Sequence, residues 1–165
     1  MAKTMTELTG GCQCGAVRYK LTSKVQDPHL CHCRMCQKAA GNYFMPLGGV
    51  KRDDFHITRG EASWFHSSGP VRRGFCSNCG TPLFFETVGH DGMAVTLGSL
   101  DDPNAVPPVS TYGSEAQYSW LGAICAQTGR ETEESEELDG YSVKEIAATN
   151  HQHPDHDTKE WPQNS

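Results

Sequence analysis

The stretch GGCQCGAVRYKLT, Gly10–Thr22, joins a cysteine pair to a strand pattern. In its second half Val17, Tyr19 and Leu21 alternate with Arg18 and Lys20, the period of a half-buried strand. In its first half Cys12 and Cys14 stand two residues apart, which puts both thiols on one side of an extended segment. Gly11 and Gly15 flank them and let the backbone bend. Two thiolates are half of a tetrahedral zinc set. The other half is in FCSNCGTPLF, Phe75–Phe84, where Cys76 and Cys79 form a knuckle turn followed by Gly80. The four cysteines together close a structural zinc site that ties an N-terminal strand to a distant hairpin, and so one sheet to another. A redox dithiol at Cys76 and Cys79 is the competing reading, but no βαβ pattern surrounds the pair.

Working outward, the rest of the first 125 residues reads as short strands broken by turns. FHIT, ASWFH, VRRGF, PLFFET and MAVTLGSL are strand candidates, punctuated at Gly60, Ser67–Gly69, Gly89–Gly92 and Asp101–Pro103. One short helix is expected over Arg34–Ala40, capped by Gly41. The fold class is therefore mainly β, built of short antiparallel strands. Only 36% of the 165 residues are hydrophobic, so metal crosslinks would add much to a modest core. We place a zinc-binding domain at 8–125 and an acidic tail, expected to be disordered, at 126–165. Within the tail, Ser142 and Glu145 have the spacing of a capping box.

The net charge of −6 belongs to the tail: residues 1–125 carry 11 Lys and Arg against 10 Asp and Glu, and residues 126–165 carry 3 against 10. A near-neutral folded part offers no basic stripe, so nucleic acid is not an expected partner. No apolar run approaches membrane-spanning length, and the first residues lack a signal pattern, so a cytoplasmic protein is expected. Cysteines in that compartment read as metal ligands or catalytic groups before disulfides.

A second constellation, CHCRMCQKAAG at Cys31–Gly41, has three thiols in six positions. Cys31, Cys33 and Cys36 can meet on one face where an extended segment turns into the helix. A zinc held by three thiolates keeps an open fourth position. Its soft character suits sulfur, so the natural fourth ligand is a substrate thiolate. His32 is the alternative ligand, but it sits between two ligands and period-2 geometry turns it away. His29, His56, His66 and His90 have no partner at metal spacing. The tail histidines His151, His153 and His156 could bind metal adventitiously, but no role is expected of them in a disordered tail, and Cys125 is read as a small buried hydrophobe. Arg34, Gln37, Arg72 and Arg73 are candidates to meet a substrate carboxylate.

GGCQCGAVRY, CHCRMCQKAAG and RGFCSNCGTPLFF, in this order, resemble the glutathione-dependent formaldehyde-activating enzyme family, which also contains centromere protein V. The intervening FHITRGEASWFHSSGPVRR matches the rhythm of the family's spacer, and the resemblance runs from about Leu8 to Trp120. It implies a β-tent fold and two zinc ions per chain. One would be structural, on Cys12, Cys14, Cys76 and Cys79; the other catalytic, on Cys31, Cys33 and Cys36. It also implies carbon–sulfur lyase or synthase chemistry on a thiol, glutathione in the family's type reaction, and an aldehyde. In TYGSEAQYSWL a His often precedes the aromatic in the family, and here Thr111 stands there. A substrate other than formaldehyde is one consequence of that departure. The alternative function is a zinc-stabilised binding module without catalysis; a redox switch at Cys31, Cys33 and Cys36 is a third. Oligomeric state is not legible.

Overall fold

A computed structural model describes residues 7–129, 131–132, 137–138 and 140–160. Its strands form two sheets that pack on one another and a separate two-stranded ribbon. The smaller sheet has the order β1 (Leu8–Gly11), β2 (Arg18–Leu21), β5 (Phe55–Arg59), all antiparallel. The larger sheet contains β3 (Gln26–Cys31), β4 (Met45–Lys51), β6 (Ser63–His66), β7 (Val71–Phe75), β8 (Pro82–Thr87), β9 (Gly92–Thr96) and β10 (Ser110–Tyr112). Its order is β10-β3-β4-β9-β8-β7-β6. The pairings are antiparallel except one: β10 lies parallel to β3, with Thr111 opposite Leu30 and Tyr112 opposite Cys31.

The strand pattern of Gly10–Thr22 does what its alternation predicts for the apolar set. Val17, Tyr19 and Leu21 are all buried and pack with Leu83, Phe84 and Val95 between the sheets. The Tyr19 hydroxyl shares a 2.7 Å hydrogen bond with the Ser99 hydroxyl, which keeps a buried polar atom satisfied. Arg18 departs from the expected outward, solvated position: it is only 2% exposed. Its guanidinium is covered by Asp101 at 2.5 Å and Asp157 at 2.7 Å.

The alternation along β8 and β9 divides the larger sheet by face. Phe84 and Val95 belong to the core shared with the smaller sheet. Phe85 and Ala94 point the other way, into a second cluster with Met45, Leu47 and Cys36. That second face carries helix α1 (Arg34–Ala40), which starts at Cys33 and ends where Gly41 takes a left-handed conformation, as the sequence predicts.

Beyond β10 come α2 (Leu121–Cys125), the ribbon β11 (Glu137–Leu138) with β12 (Tyr141–Ser142), and α3 (Val143–Ala148). The Ser142–Glu145 capping box is present at α3. Composition alone predicts a disordered tail, yet its described residues 152–158 return to the Cys12–Cys14 loop. The His153 N–H donates to the Gln13 carbonyl at 2.7 Å, and the His153 ring packs on Gly15 and is 4% exposed. Arg59 donates to the Thr158 hydroxyl at 3.0 Å. A charged, apolar-poor segment can dock in this way because Arg18, buried, and Arg59, partly buried, supply its partners on the smaller sheet. Cys125 is exposed rather than buried, since α2 buries only Leu121.

Candidate metal centres

The turn after β1 carries Cys12 and Cys14; the turn between β7 and β8 carries Cys76 and Cys79. The Cys12 N–H donates to the Val17 carbonyl and the Gly80 N–H to the Cys76 carbonyl, so each turn is closed by its own backbone. Their four Sγ atoms lie within 4.8 Å of one another. The Cys12–Cys14 separation is 3.6 Å and the Cys14–Cys76 separation 3.8 Å. A tetrahedral zinc with bonds of about 2.3 Å needs sulfurs about 3.8 Å apart, so this set fits the ion. Burial pushes the Cys12 thiol up to about 12. Burial also opposes ionisation of Cys79, but the Thr81 hydroxyl and N–H outweigh it and hold that thiol down to about 6. Crowded thiols ionise unevenly in this way until a cation neutralises them.

The second set sits where β3 runs into α1. Cys31 ends the strand, Cys33 is the helix N-cap, and Cys36 faces the sheet from the first turn. Their three Sγ atoms also lie within 4.8 Å, and among the described residues no His, Asp, Glu or fourth Cys joins them. Burial pushes Cys36 up to about 12, against the pull of the Arg73 guanidinium. At Cys33 burial is outweighed by the backbone N–H of Cys36 and by the Cys31 thiol, and the group falls below the ordinary thiol range. Strand β10 closes one side. The His32 N–H donates to the Tyr112 carbonyl at 2.8 Å, and Gly113, at φ +67°, lies directly on Cys33.

His32 does not join the three thiols; it is fully buried against the Phe44 ring, and among the described residues neither ring nitrogen has a partner. Of the candidate substrate-binding residues, Arg34 is exposed on α1 and donates to the Gln37 carboxamide oxygen at 3.3 Å. Gln37 is buried. Its amide nitrogen donates to the Ala116 carbonyl and its oxygen accepts from the Tyr118 hydroxyl, so it pins the segment after β10 to α1. Arg73 is buried beside Cys36. Arg72 turns the other way and joins Arg52 on the buried Glu86. Thr111 is exposed on β10, one residue from the partner of Cys31.

Sequence reasoning missed an aromatic group next to α1. Tyr43 and Trp120 meet edge-on at 4.7 Å, Tyr118 stacks on Trp120 at 5.3 Å, and both Tyr43 and Trp120 are about half exposed. The aromatic residues clustered in YSWL were the available signal.

No described helix is long and apolar enough to cross a membrane. The family model described as glutathione-dependent formaldehyde-activating enzyme matches residues 7–115. A Halomonas elongata protein named as a candidate enzyme of that description is 34% identical over 85 residues, covering 47% of this chain and 54% of its own length. An uncharacterized lyase of Schizosaccharomyces pombe is 31% identical over 83 residues, covering 49% of this chain and 58% of its own. The chain thus spans little more than half the length of these relatives. A crystal structure of a Rhodobacter sphaeroides protein superposes with a TM-score of 0.51 at 18% identity, covering 62% of this chain and 98% of that one, a likeness of fold.

Proposed function

The chain belongs to the glutathione-dependent formaldehyde-activating enzyme family, and from that premise we propose that it is a zinc-dependent carbon–sulfur lyase or synthase. Its substrates would be a thiol of the glutathione type and an aldehyde, or the adduct of the two. The observation that carries this reading is the cluster of three thiols with no fourth protein ligand among the described residues. Zinc on Cys31, Cys33 and Cys36 would supply a soft cation able to keep a substrate thiol as thiolate at neutral pH. Zinc on Cys12, Cys14, Cys76 and Cys79 would be structural.

The reaction needs no redox partner. In the forward direction the sulfur bonds to the carbonyl carbon and the thiol proton ends on the carbonyl oxygen; the reverse breaks the same bond. The chain's own residues bind and orient. Arg34, exposed on α1 one residue after Cys33, is the candidate anchor for a substrate carboxylate. Gln37 serves indirectly, because its amide already holds the segment bearing Tyr118. The names of the relatives, one formaldehyde-activating and one a lyase, agree with this reading.

The test is metal content and the cobalt-substituted spectrum of the reduced protein, with and without glutathione. Two metals per chain, with a thiolate-to-cobalt band that grows as glutathione is added, is the expected result. One metal per chain after full reloading, or a spectrum indifferent to any thiol, would refute the mechanism and favour a zinc-stabilised binding module.

A further inference from the structure

Arg73 is a buried cation without a carboxylate. It projects from β7 into the second cluster, opposite Phe85 in the register, and is 7% exposed. Its Nε donates to the Ser67 hydroxyl at 3.3 Å, its Nη1 to the Met45 sulfur at 3.4 Å and its Nη2 to the Cys36 sulfur at 3.4 Å. Its guanidinium carbon sits 5.0 Å from the centre of the Phe85 ring. Among the described residues, no Asp or Glu lies within ion-pair distance of it. Two other arginines of the sheets behave differently: Arg18 has two carboxylates and Arg72 has Glu86, while Arg59, partly exposed on β5, donates to the Gly15 carbonyl and the Thr158 hydroxyl.

A charge taken out of water needs a counter-charge nearby. A hydroxyl, a thioether and an aromatic face each help a guanidinium, but none is an anion. The remaining partner is the cysteine set. We infer that Arg73 is a positioning residue whose buried charge is the counter-cation of the Cys31, Cys33 and Cys36 thiolates, rather than a clamp for a substrate carboxylate.

The inference rests on the proposed metal-binding reading of that set and adds what the protein does to it. Three thiolates around a divalent cation sum to −1, and Arg73 brings the local total to zero. An incoming thiolate then takes the total to −1 instead of −2, so Arg73 favours an anionic fourth ligand over the repulsion it would otherwise meet. The hydrogen bond also fixes the Cys36 rotamer. Outer partners of this kind orient ligands, and their loss commonly costs about 10- to 100-fold in metal affinity.

The experiment is a competitive cobalt titration of the full chain, followed by titration with 2-mercaptoethanol and, separately, imidazole. Wild type, Arg73→Met, Arg73→Lys and Met45→Leu are compared. In Arg73→Met the second cobalt is expected to bind roughly 10- to 100-fold more weakly, while the first is held as in wild type. The loaded second site is also expected to need about tenfold more 2-mercaptoethanol, with imidazole affinity unchanged. Arg73→Lys, which keeps the charge and loses the fork, is expected to fall between the two. Met45→Leu removes another acceptor of Arg73 at nearly constant volume, and is expected to match wild type. Unchanged second-site affinity and thiol response in Arg73→Met would overturn the inference. So would an equal loss in Met45→Leu, which would assign the effect to packing. A wild type that takes up one cobalt would instead fail at the metal-site reading, and the inference would fall with it.

Discussion

Gly113 shows how little freedom the second cysteine set has. A Cβ there would stand 2.6 Å from the Cys33 nitrogen and 3.0 Å from its Cα, and φ is +67°, where an L side chain is strained. Gly113→Ala is expected to cost more than about 1 kcal/mol and to weaken the second metal site while sparing the first. Metal stoichiometry after dilution checks this, and parallel loss at both sites would count against it. His32 predicts the opposite sign. Two buried nitrogens with no partner among the described residues carry a desolvation cost, so His32→Leu is expected to leave stability unchanged or raise it by about 1 kcal/mol. A clear fall in melting temperature would show that the ring has a partner. The seven clustered cysteines were legible in the sequence because tetrahedral ligation imposes short fixed spacings. The packing of Gly113 on Cys33, the placing of Arg73 beside Cys36 and the burial of His32 were not. Each acts through the register of strands far apart in the chain, which no local pattern carries.

At the scale of elements, the legible pieces were those that state their own limits. Helix α1 is announced by its cysteine spacing and by Gly41, and β7 and β8 by short runs bounded by turn residues at Ser67–Gly69 and Gly89–Gly92. β3 and β4 were missed: QDPHLC and MPLGGVK contain proline or glycine and are held as strands by their neighbours rather than by propensity. β10, three exposed residues, exists only because it pairs with β3. The tail's docking was hidden by its composition, since its anchors are single residues. Three elements meet at Arg18: β2, the turn holding Asp101 and the returning segment with Asp157. Burial opposes ionisation of Asp101, but Arg18 and the Thr9 hydroxyl outweigh it and hold its carboxyl below the usual range. A carboxyl depressed on folding contributes stability above its unfolded value, near pH 4, and loses it as pH falls through the folded value. Asp101→Asn should therefore be less stable than wild type at pH 7, by roughly 3 kcal/mol, with the gap narrowing below about pH 4. Asp157→Asn, at a half-exposed partner, should cost no more than about 1 kcal/mol. Denaturant melts at both pH values measure this, and a gap that widens on acidification would contradict the sign.

For the whole molecule, the two cysteine sets occupy different places. The first joins the two sheets through residues far apart in sequence, and the second lies on the outer face of the larger sheet with α1. Structural zinc binding is worth on the order of 10 kcal/mol in small domains. Cys76→Ser is expected to unfold the chain or lower its melting temperature sharply, whereas Cys36→Ser should stay folded and hold one metal. Circular dichroism with metal analysis decides, and a folded Cys76→Ser protein would remove the structural assignment. The mainly β class and the division of cysteines into four and three could be read from the motifs. Which face each set occupies could not, because it depends on how β8 and β9 are placed between them.

The same separation sets an order during synthesis. Cys31, Cys33 and Cys36 emerge close together, whereas Cys12 and Cys14 must wait for Cys76 and Cys79. At roughly 5–20 residues per second, Cys76 follows Cys36 by about 2–8 s. In that interval the nascent chain carries the three-thiol set and the Cys12–Cys14 pair, but not Cys76, Cys79 or, for most of it, Arg73. Ribosome-bound chains stalled between Cys36 and Cys76 are expected to hold one metal already, and stalled chains that hold none would contradict that order. On the metal-binding reading, the first ion the chain meets would be selected by neighbouring thiols during translation, before the strands that carry Arg73 and Cys76 are made.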